Sequence, residues 1–200
     1  RFLQQLSSTF PTREPPNLKD YAWDYNLVKD EQRNAWCMPG GKIVFYTGIL
    51  PIAKNADGIA AIMGHEVAHA LLDHGGQRMS MSMAQRVGNI VAVKATEKQP
   101  EKKRNAILMT YGIGSSVGAV LPFSRKHESE ADKIGLELMA IAGYDVTEAP
   151  KLWERMKAAS GGKSQPELLS THPSNQRRID ELKRWIPDAK ALAIKVNAKQ

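Results

Sequence analysis

The chain has 200 residues, of which 42% are hydrophobic and 24% are charged, and its formal net charge is +7. Length and composition are ordinary for a soluble globular protein with one domain, or at most a domain with a helical appendage. Cys37 is the only cysteine, so an internal disulfide is excluded, as are zinc sites built from two or four cysteines.

The basic residues are spread along the chain, and the most compact basic run is Lys102-Lys103-Arg104. We interpret this run as a solvated helix face, so the charge does not predict a nucleic-acid partner. The same charge could help to hold the protein to an anionic membrane surface.

The chain starts at Arg1 without a signal peptide. We therefore expect the native targeting segment to lie upstream, with a lipid anchor as one option.

The first 50 residues predict a linker and short strands. Residues 1–17 predict a short helix followed by the proline-rich stretch Pro11–Pro16. Three later segments are rich in aromatic and β-favouring residues and predict strands at 21–28, 33–38 and 42–46. The turn Pro39-Gly40-Gly41 joins the last two strands. The pattern indicates a small antiparallel meander.

The chain after Thr47 predicts helices separated by glycines and prolines, at about 48–54, 57–74, 77–97, 101–120, 124–142, 147–159, 174–185 and 188–198. The most apolar segment, Ala106–Leu121, contains glycine, serine and threonine. It falls short of the roughly 18 apolar residues that indicate a membrane span, so we interpret it as a buried or interfacial helix. The predicted fold class is α+β, mostly helical, with a small antiparallel sheet.

The run His65-Glu66-Val67-Ala68-His69 carries the strongest chemical signal. Positions i and i+4 of a helix lie on one face, so both imidazoles can bind one metal ion. Glu66 lies where a carboxylate can take a proton from a metal-bound water. The helix is predicted by apolar residues at helical spacing after a plausible N-cap at Asp57. The alternative is a buried helix whose histidines are only packed or hydrogen-bonded.

A catalytic zinc ion needs a third protein ligand and an open position for water. His74 is five residues beyond His69 and points to another helix face. Glu128 and Asp132 are four residues apart, so they share a helix face, whereas Glu130 points elsewhere. Glu128 can ligate a metal, and Asp132 can accept the N–H of a ligating histidine. The alternative for these acids is a charged solvent face.

These motifs resemble a known family. His-Glu-x-x-His followed by Ser-Arg-x-x-Glu-x-Glu-Ala-Asp is similar to the signature of the zinc metallopeptidases that include the HtpX membrane protease and the type I CAAX prenyl endopeptidase. The stretches 34–43 and 171–179 add to the likeness, which points to the compact LoiP/BepA-like periplasmic and OMA-like mitochondrial members. It covers about residues 20–185, with 186–200 as a C-terminal helix of one peptidase domain, 1–200.

The resemblance implies one Zn²⁺ ion with His65, His69 and Glu128 as ligands, Glu66 as the general base and Asp132 as a support. It also implies a zincin-type fold with the sheet packed near the catalytic helix. By analogy with zinc peptidases of this type, the strand at 42–46 is a substrate platform to which an extended peptide adds.

His172 stands directly before Pro173, where a helix should start. The resemblance implies that His172 approaches the zinc, where it either donates to the oxyanion of the tetrahedral intermediate or caps the metal in a resting state. Arg177, a little over one turn later, either assists or anchors the helix to a carboxylate. The alternative for His172 is a helix-start residue without a catalytic part.

The predicted function is that of a zinc metalloendopeptidase that hydrolyses peptide bonds of proteins in envelope protein quality control. The expected partners are unfolded or misassembled proteins; peripheral membrane association stays open, and no nucleic acid is expected. The expected location is the bacterial periplasm or envelope, with the mitochondrial inner membrane as the alternative. The alternative function is a chaperone or scaffold that keeps a zinc site with little proteolysis.

Overall fold

The computed structural model describes residues 21–159, 167–173 and 175–198. The helix and linker predicted for residues 1–17 lie outside this range. The described chain forms two compact units: unit 1 contains the residues up to 72 and from 129 onward, and unit 2 contains Asp73–Glu128. The single peptidase domain remains a prediction.

Within the described residues the sheet has three strands, β1 (Asp24–Val28), β2 (Ala35–Met38) and β3 (Lys42–Tyr46), in the order β1-β3-β2. β2 and β3 form the predicted antiparallel hairpin around Gly40 and Gly41, both of which have positive φ. β1 pairs parallel to β3. The sheet is therefore mixed, and the prediction of an antiparallel meander was wrong.

The connection between β1 and β2 explains this topology, because it crosses the end of β3. The Thr47 hydroxyl accepts from Asp30 N at 3.1 Å and donates to Asp30 O at 2.9 Å. Gly48 N donates to the same carbonyl at 2.8 Å. A Cβ at Gly48 would lie 2.1 Å from Glu31 O. Only glycine lets the crossing segment lie this close, and the crossing carries the chain to the opposite edge of β3.

Helices form the rest of the described chain, which confirms the mostly helical α+β class. In unit 1 they are α1 (Leu50–Ala53), α2 (Ala56–Leu71), α6 (Glu148–Ala159), α7 (Glu167–Thr171) and α8 (Gln176–Asn197). In unit 2 they are α3 (His74–Ala95) and α4 (Glu101–Ser115), which continues as a π-helical turn, Ser116–Val120. α5 (Leu121–Ile141) contains the boundary between the units, which falls between Glu128 and Ser129.

Two prolines lie inside helices where breaks were predicted. Pro187 lies within α8, which buries residues on both sides of it, including Leu182 and Ala189. Packing of this helix outweighs the lost backbone hydrogen bond. Pro122 lies in the first turn of α5, directly after the π-helical turn. A π turn alters the hydrogen-bond ladder where proline has no N–H to donate.

The start of α2 differs from the prediction in one detail. Asn55 is the N-cap, and its side chain accepts from Gly58 N at 2.8 Å. Asp57 lies inside the first turn and accepts from Asp145 N at 2.9 Å. Asparagine is as good an N-cap as aspartate, so Asp57 is left to contact the segment before α6.

Two glycines set the distance between α2 and the part of α5 that belongs to unit 1. A Cβ at Gly64 would lie 2.7 Å from Gly135 O, and a Cβ at Gly135 would lie 2.7 Å from His65 N. The backbones therefore touch at the residue that starts the His-Glu-x-x-His motif. Any side chain at either position would push the helices apart and displace His65.

The core of unit 1 joins the sheet to these helices. Its fully buried side chains include Ile43 from β3, Ile62 from α2, Met139 from α5 and Leu152 from α6. Burial of such side chains contributes roughly 1.5 to 3 kcal/mol each. The core packs the sheet against α2, as the resemblance implied.

Glu137 is a destabilising acid on α5. Its side chain is 7% exposed, and among the described residues its Oε2 atom has no hydrogen-bond partner. Burial raises its pKa from 4.5 to about 6; Lys133 opposes the shift and Asp188 adds to it. The folded state therefore favours the protonated carboxyl. Protonation of Glu137 therefore adds to the free energy of unfolding. This contribution is fully present below pH 4.5 and is lost as the pH rises through about 6.

We expect Glu137→Gln to raise the free energy of unfolding at pH 7.5 by about 1 to 2 kcal/mol and to change it little at pH 4.5. Urea unfolding of metal-free protein at both pH values measures the difference. A Gln variant that is no more stable than the wild type at pH 7.5 contradicts this account of Glu137.

Candidate metal centre

α2 brings the two motif histidines together inside unit 1. His65, Glu66 and His69 are 3%, 4% and 5% exposed. The Nε2 atoms of His65 and His69 lie 3.1 Å apart. Both rings therefore aim the same nitrogen at one point, as the i, i+4 spacing predicts.

His172 reaches the same point from a distant part of the chain. It follows α7, and its backbone N donates to Leu168 O at 2.8 Å. Its Nδ1 atom lies 3.2 Å from His65 Nε2, and its ring centroid lies 4.9 Å from that of His69. The structure thus brings His172 beside both motif histidines, as the resemblance implied.

Glu128 is one turn before Asp132 on α5. The helix is unbroken between Glu128 and Ser129. One ligand atom from each of His65, His69, Glu128 and His172 lies within 4.8 Å of the others, and all four residues are buried. Among the described residues, neither His74 nor Glu130 belongs to this group.

The donor set fits a zinc ion. One imidazole nitrogen carries either a proton or a lone pair, so His65 Nε2 cannot complete separate hydrogen bonds to both neighbouring rings. A cation accepts lone pairs from all of them together. Histidine nitrogens and one carboxylate oxygen are typical zinc ligands. The residues present therefore fit the metal that the motif predicts.

Asp132 orients His65 from behind. Its Oδ1 atom lies 3.1 Å from His65 Nδ1, and its side chain is 2% exposed. Burial alone would raise the pKa of Asp132, but the Arg178 guanidinium and the contact with His65 hold it below its usual range. The ionised carboxylate accepts the Nδ1 proton, which leaves the Nε2 lone pair for a metal.

The arginine beside Asp132 is Arg178, which sequence reasoning missed. Arg177, the predicted residue, has an 81% exposed side chain and pairs with Glu181 on its own helix at 3.0 Å. Arg178 is 5% exposed, and both its Nε and Nη2 atoms donate to the Asp132 carboxylate, Nη2 at 2.8 Å. Its position could have been inferred, because Ile179 and Leu182 mark the buried side of the helix.

Arg178 also links two further parts of the site. Its guanidinium lies 3.5 Å from the centroid of the Trp153 ring on α6, a cation–π contact. Its Nη1 atom donates to Pro173 O at 3.4 Å, directly after His172. One side chain therefore connects α8, Asp132, α6 and the segment that carries His172.

Glu66 keeps an acceptor atom available. Among the described residues its buried Oε1 has no hydrogen-bond partner, and His172 Nε2 lies 3.5 Å from it. A buried acceptor without a partner costs roughly 1 to 3 kcal/mol unless water or substrate satisfies it. The arrangement suits a carboxylate that receives a proton from water.

The sheet position of the predicted substrate platform needs correction. β3 is the central strand, since β1 and β2 pair with its two sides, so it cannot take a further strand. β2 is an edge strand and packs against α2.

Cys37 on β2 does not add a thiolate to the metal centre. Burial, and then the charge of Glu66, raise the pKa of its thiol to about 11.

The chain belongs to peptidase family M48, whose sequence profile matches residues 8–186. The members of this family are metallopeptidases and depend on a metal ion. The buried group of histidines and Glu128 gives the chain the means to hold one.

The curated relatives carry peptidase names. The chain is 39% identical over 174 residues to the mitochondrial metalloendopeptidase OMA1 of Schizosaccharomyces pombe, a match that covers 86% of this chain and 49% of the relative. It is 34% identical over 189 residues to the OMA1 of Saccharomyces cerevisiae, covering 91% and 52%. It is 25% identical over 162 residues to the beta-barrel assembly-enhancing protease of Yersinia pestis, covering 78% and 33%. The chain thus spans about half or less of these relatives.

Arg178→Ala leaves the buried Asp132 carboxylate without its cation. We expect a loss of about 3 to 5 kcal/mol in the free energy of unfolding of metal-free protein and a zinc affinity lowered about 10- to 100-fold. Urea unfolding and competition with a chromogenic chelator measure the two effects.

Arg177→Ala is the matched control, since it removes an exposed pair and should cost about 1 kcal/mol or less. Equal losses in the two variants would show that Arg178 does not support the site.

Proposed function

We propose that this chain is the catalytic part of a zinc-dependent metalloendopeptidase. The observation that carries the proposal is the convergence of His65, His69 and Glu128 beside the available carboxylate of Glu66. We propose the first three as zinc ligands and Glu66 as the general base. A purely structural zinc site needs no base, which favours the peptidase over a chaperone or scaffold.

Bound zinc would polarise the scissile carbonyl and lower the pKa of a water molecule. Glu66 Oε1 takes a proton from that water, whose oxygen then forms a bond to the carbonyl carbon. Glu66 passes the proton to the amide nitrogen as the C–N bond breaks, which yields a carboxylic acid and an amine. Asp132 holds the Nδ1 proton of His65 throughout, and Arg178 keeps Asp132 ionised.

We propose two successive positions for His172. In a resting state its Nδ1 occupies the place where water must enter, which the 3.2 Å separation from His65 Nε2 supports. When a substrate binds, the ring moves aside, and its N–H can then donate to the oxyanion of the tetrahedral intermediate. Its attachment through the Pro173 carbonyl to Arg178 limits how far it can move.

The substrates that fit best are unfolded or misassembled proteins. β2 is an edge strand next to the metal-binding helix, and an extended peptide can pair its main chain with such an edge. Unfolded chains offer extended segments that folded proteins do not. The name of the Yersinia pestis relative supports a role in protein quality control.

We place the protein in the bacterial periplasm or envelope, with peripheral attachment to a membrane. The beta-barrel assembly-enhancing relatives of bacteria support this location. The mitochondrial relatives support the alternative, the mitochondrial inner membrane.

Glu66→Gln should lower casein cleavage by about 10²- to 10⁴-fold, because the amide cannot accept the proton. Zinc content should stay at one ion per chain in our proposal, since Glu66 is not a ligand. Fluorescent casein and metal analysis provide the readouts. A variant that cleaves casein as fast as the wild type, or a wild type without zinc, would contradict the peptidase proposal. Either result would favour the alternative function as a chaperone or scaffold.

Glu128→Gln tests the third ligand. Replacing a carboxylate ligand by a neutral amide should weaken zinc binding by at least about tenfold and abolish cleavage. Glu130→Gln, on the same helix, should retain the wild-type zinc affinity. If only the Glu130 variant bound zinc more weakly, Glu130 rather than Glu128 would be the third ligand.

A further inference from the structure

Unit 2 contains a helical hairpin, defined here as α3, the turn at 96–100 and α4 with its π-helical extension. The contacts between its two helices are polar and close. Gln85 Nε2 donates to Ser115 Oγ at 3.0 Å and to Ser116 Oγ at 3.3 Å. A Cβ at Gly88 would lie 1.9 Å from the Tyr111 hydroxyl oxygen. Small and polar residues thus hold the helices together.

Each helix of the hairpin carries an exposed apolar stripe. On α3 the exposed stripe is Met79, Met83, Val87 and Ile90, each at least 60% exposed. On α4 and its π-helical extension it is Met109, Ile113 and Val117, each at least 55% exposed. Among the described residues, no hydrophobic side chain between 73 and 128 belongs to a buried core.

This distribution is the inverse of a water-soluble hairpin, which buries its apolar stripe between the helices. Helices that meet through small and polar residues and expose apolar ones are typical of membranes. A second copy of this chain would cover the two apolar stripes less completely than a lipid bilayer. Each stripe lies across its own helix from the residues that join the two helices, so one partner copy would cover only one stripe.

The length of the second helix agrees with this interpretation. By length and composition, the continuous helix Glu101–Ile141 is long and apolar enough to cross a membrane; its most apolar window has a mean hydropathy of 1.5 and is 0% buried. Residues 105–124 contain no charged side chain. A helix of about 20 residues matches the hydrocarbon thickness of a bilayer, about 30 Å.

The turn of the hairpin is basic. Lys94, Lys98, Lys102, Lys103 and Arg104 lie within eleven positions of one another, with Glu97 and Glu101 as the acids between them. A cavity of about 350 Å³ at this end is lined in part by Lys94 and Arg104. Among the described residues, the buried Nε of Arg104 has no hydrogen-bond partner. These cations complement anionic lipid headgroups.

We propose that the hairpin inserts its apolar outer faces into the hydrocarbon layer of an anionic membrane, with the basic turn at the phosphate groups. This goes beyond the peripheral attachment proposed above, because it assigns the attachment to a defined segment that enters the bilayer. It does not depend on peptidase activity.

Flotation with lipid vesicles tests the proposal on the whole chain. We expect the protein to bind vesicles of equal parts phosphatidylcholine and phosphatidylglycerol. The double variant Ile90→Asp/Ile113→Asp should bind at least about tenfold more weakly, because charged groups are unfavourable in hydrocarbon. Ile194→Asp on α8 is the matched control. Ile194 is 71% exposed, lies outside the hairpin and should not affect binding.

The charge is tested separately. Lys102→Gln and Lys103→Gln should each weaken binding to these vesicles about fivefold and leave binding to pure phosphatidylcholine unchanged. Lys190→Gln on α8 is the control and should have no effect.

Three results would overturn the proposal: a wild type that binds neither vesicle, an Ile194 variant as impaired as the hairpin variant, or a dimer in buffer that Ile113→Asp dissociates without any effect on vesicles. The last result would assign the apolar faces to a second copy. Vesicle binding by Glu66→Gln, and casein cleavage by the hairpin variant, keep this test separate from that of the peptidase.

Discussion

Asp132 is a buried carboxylate that accepts hydrogen bonds from two other elements, from Arg178 on α8 and from His65 on α2. A charge in this position is stable only while its partners are in place. The three helices must therefore assemble together, and the contacts that satisfy Asp132 also fix the ring of His65. The stability of the fold and the orientation of His65 thus depend on the same ion pair, and the Trp153 ring packs against the Arg178 side of that pair.

The close approach of α2 and α5 makes this geometry possible. Gly64 and Gly135 let the two backbones touch next to His65, which brings Asp132 of α5 within reach of the His65 ring. Larger side chains there would separate His65 from Asp132 even if both residues were kept. The site is therefore specified by two small residues as much as by its titratable groups.

The hairpin of unit 2 follows different physical rules. In the sequence it lies between His69 and Glu128, so the chain leaves the first half of the metal motif, forms the hairpin and returns with the second half. Unit 1 buries apolar residues in a core, whereas the hairpin joins its helices through Gln85, Ser115 and Gly88 and exposes its apolar stripes. An apolar surface of this kind is stable against lipid and unfavourable in water.

The sequence alone determined the two halves of the metal motif, the helices that carry them and the mostly helical class, because these depend on local spacing. Periodicity placed His65 with His69, and Glu128 with Asp132, on shared helix faces. Tertiary structure decided the rest: the parallel pairing of β1 through the contacts of Gly48, the continuity of α8 through Pro187, and the choice of Arg178 over Arg177. Each depends on which side of an element is buried and what it meets there, and residues distant in sequence supply that contact.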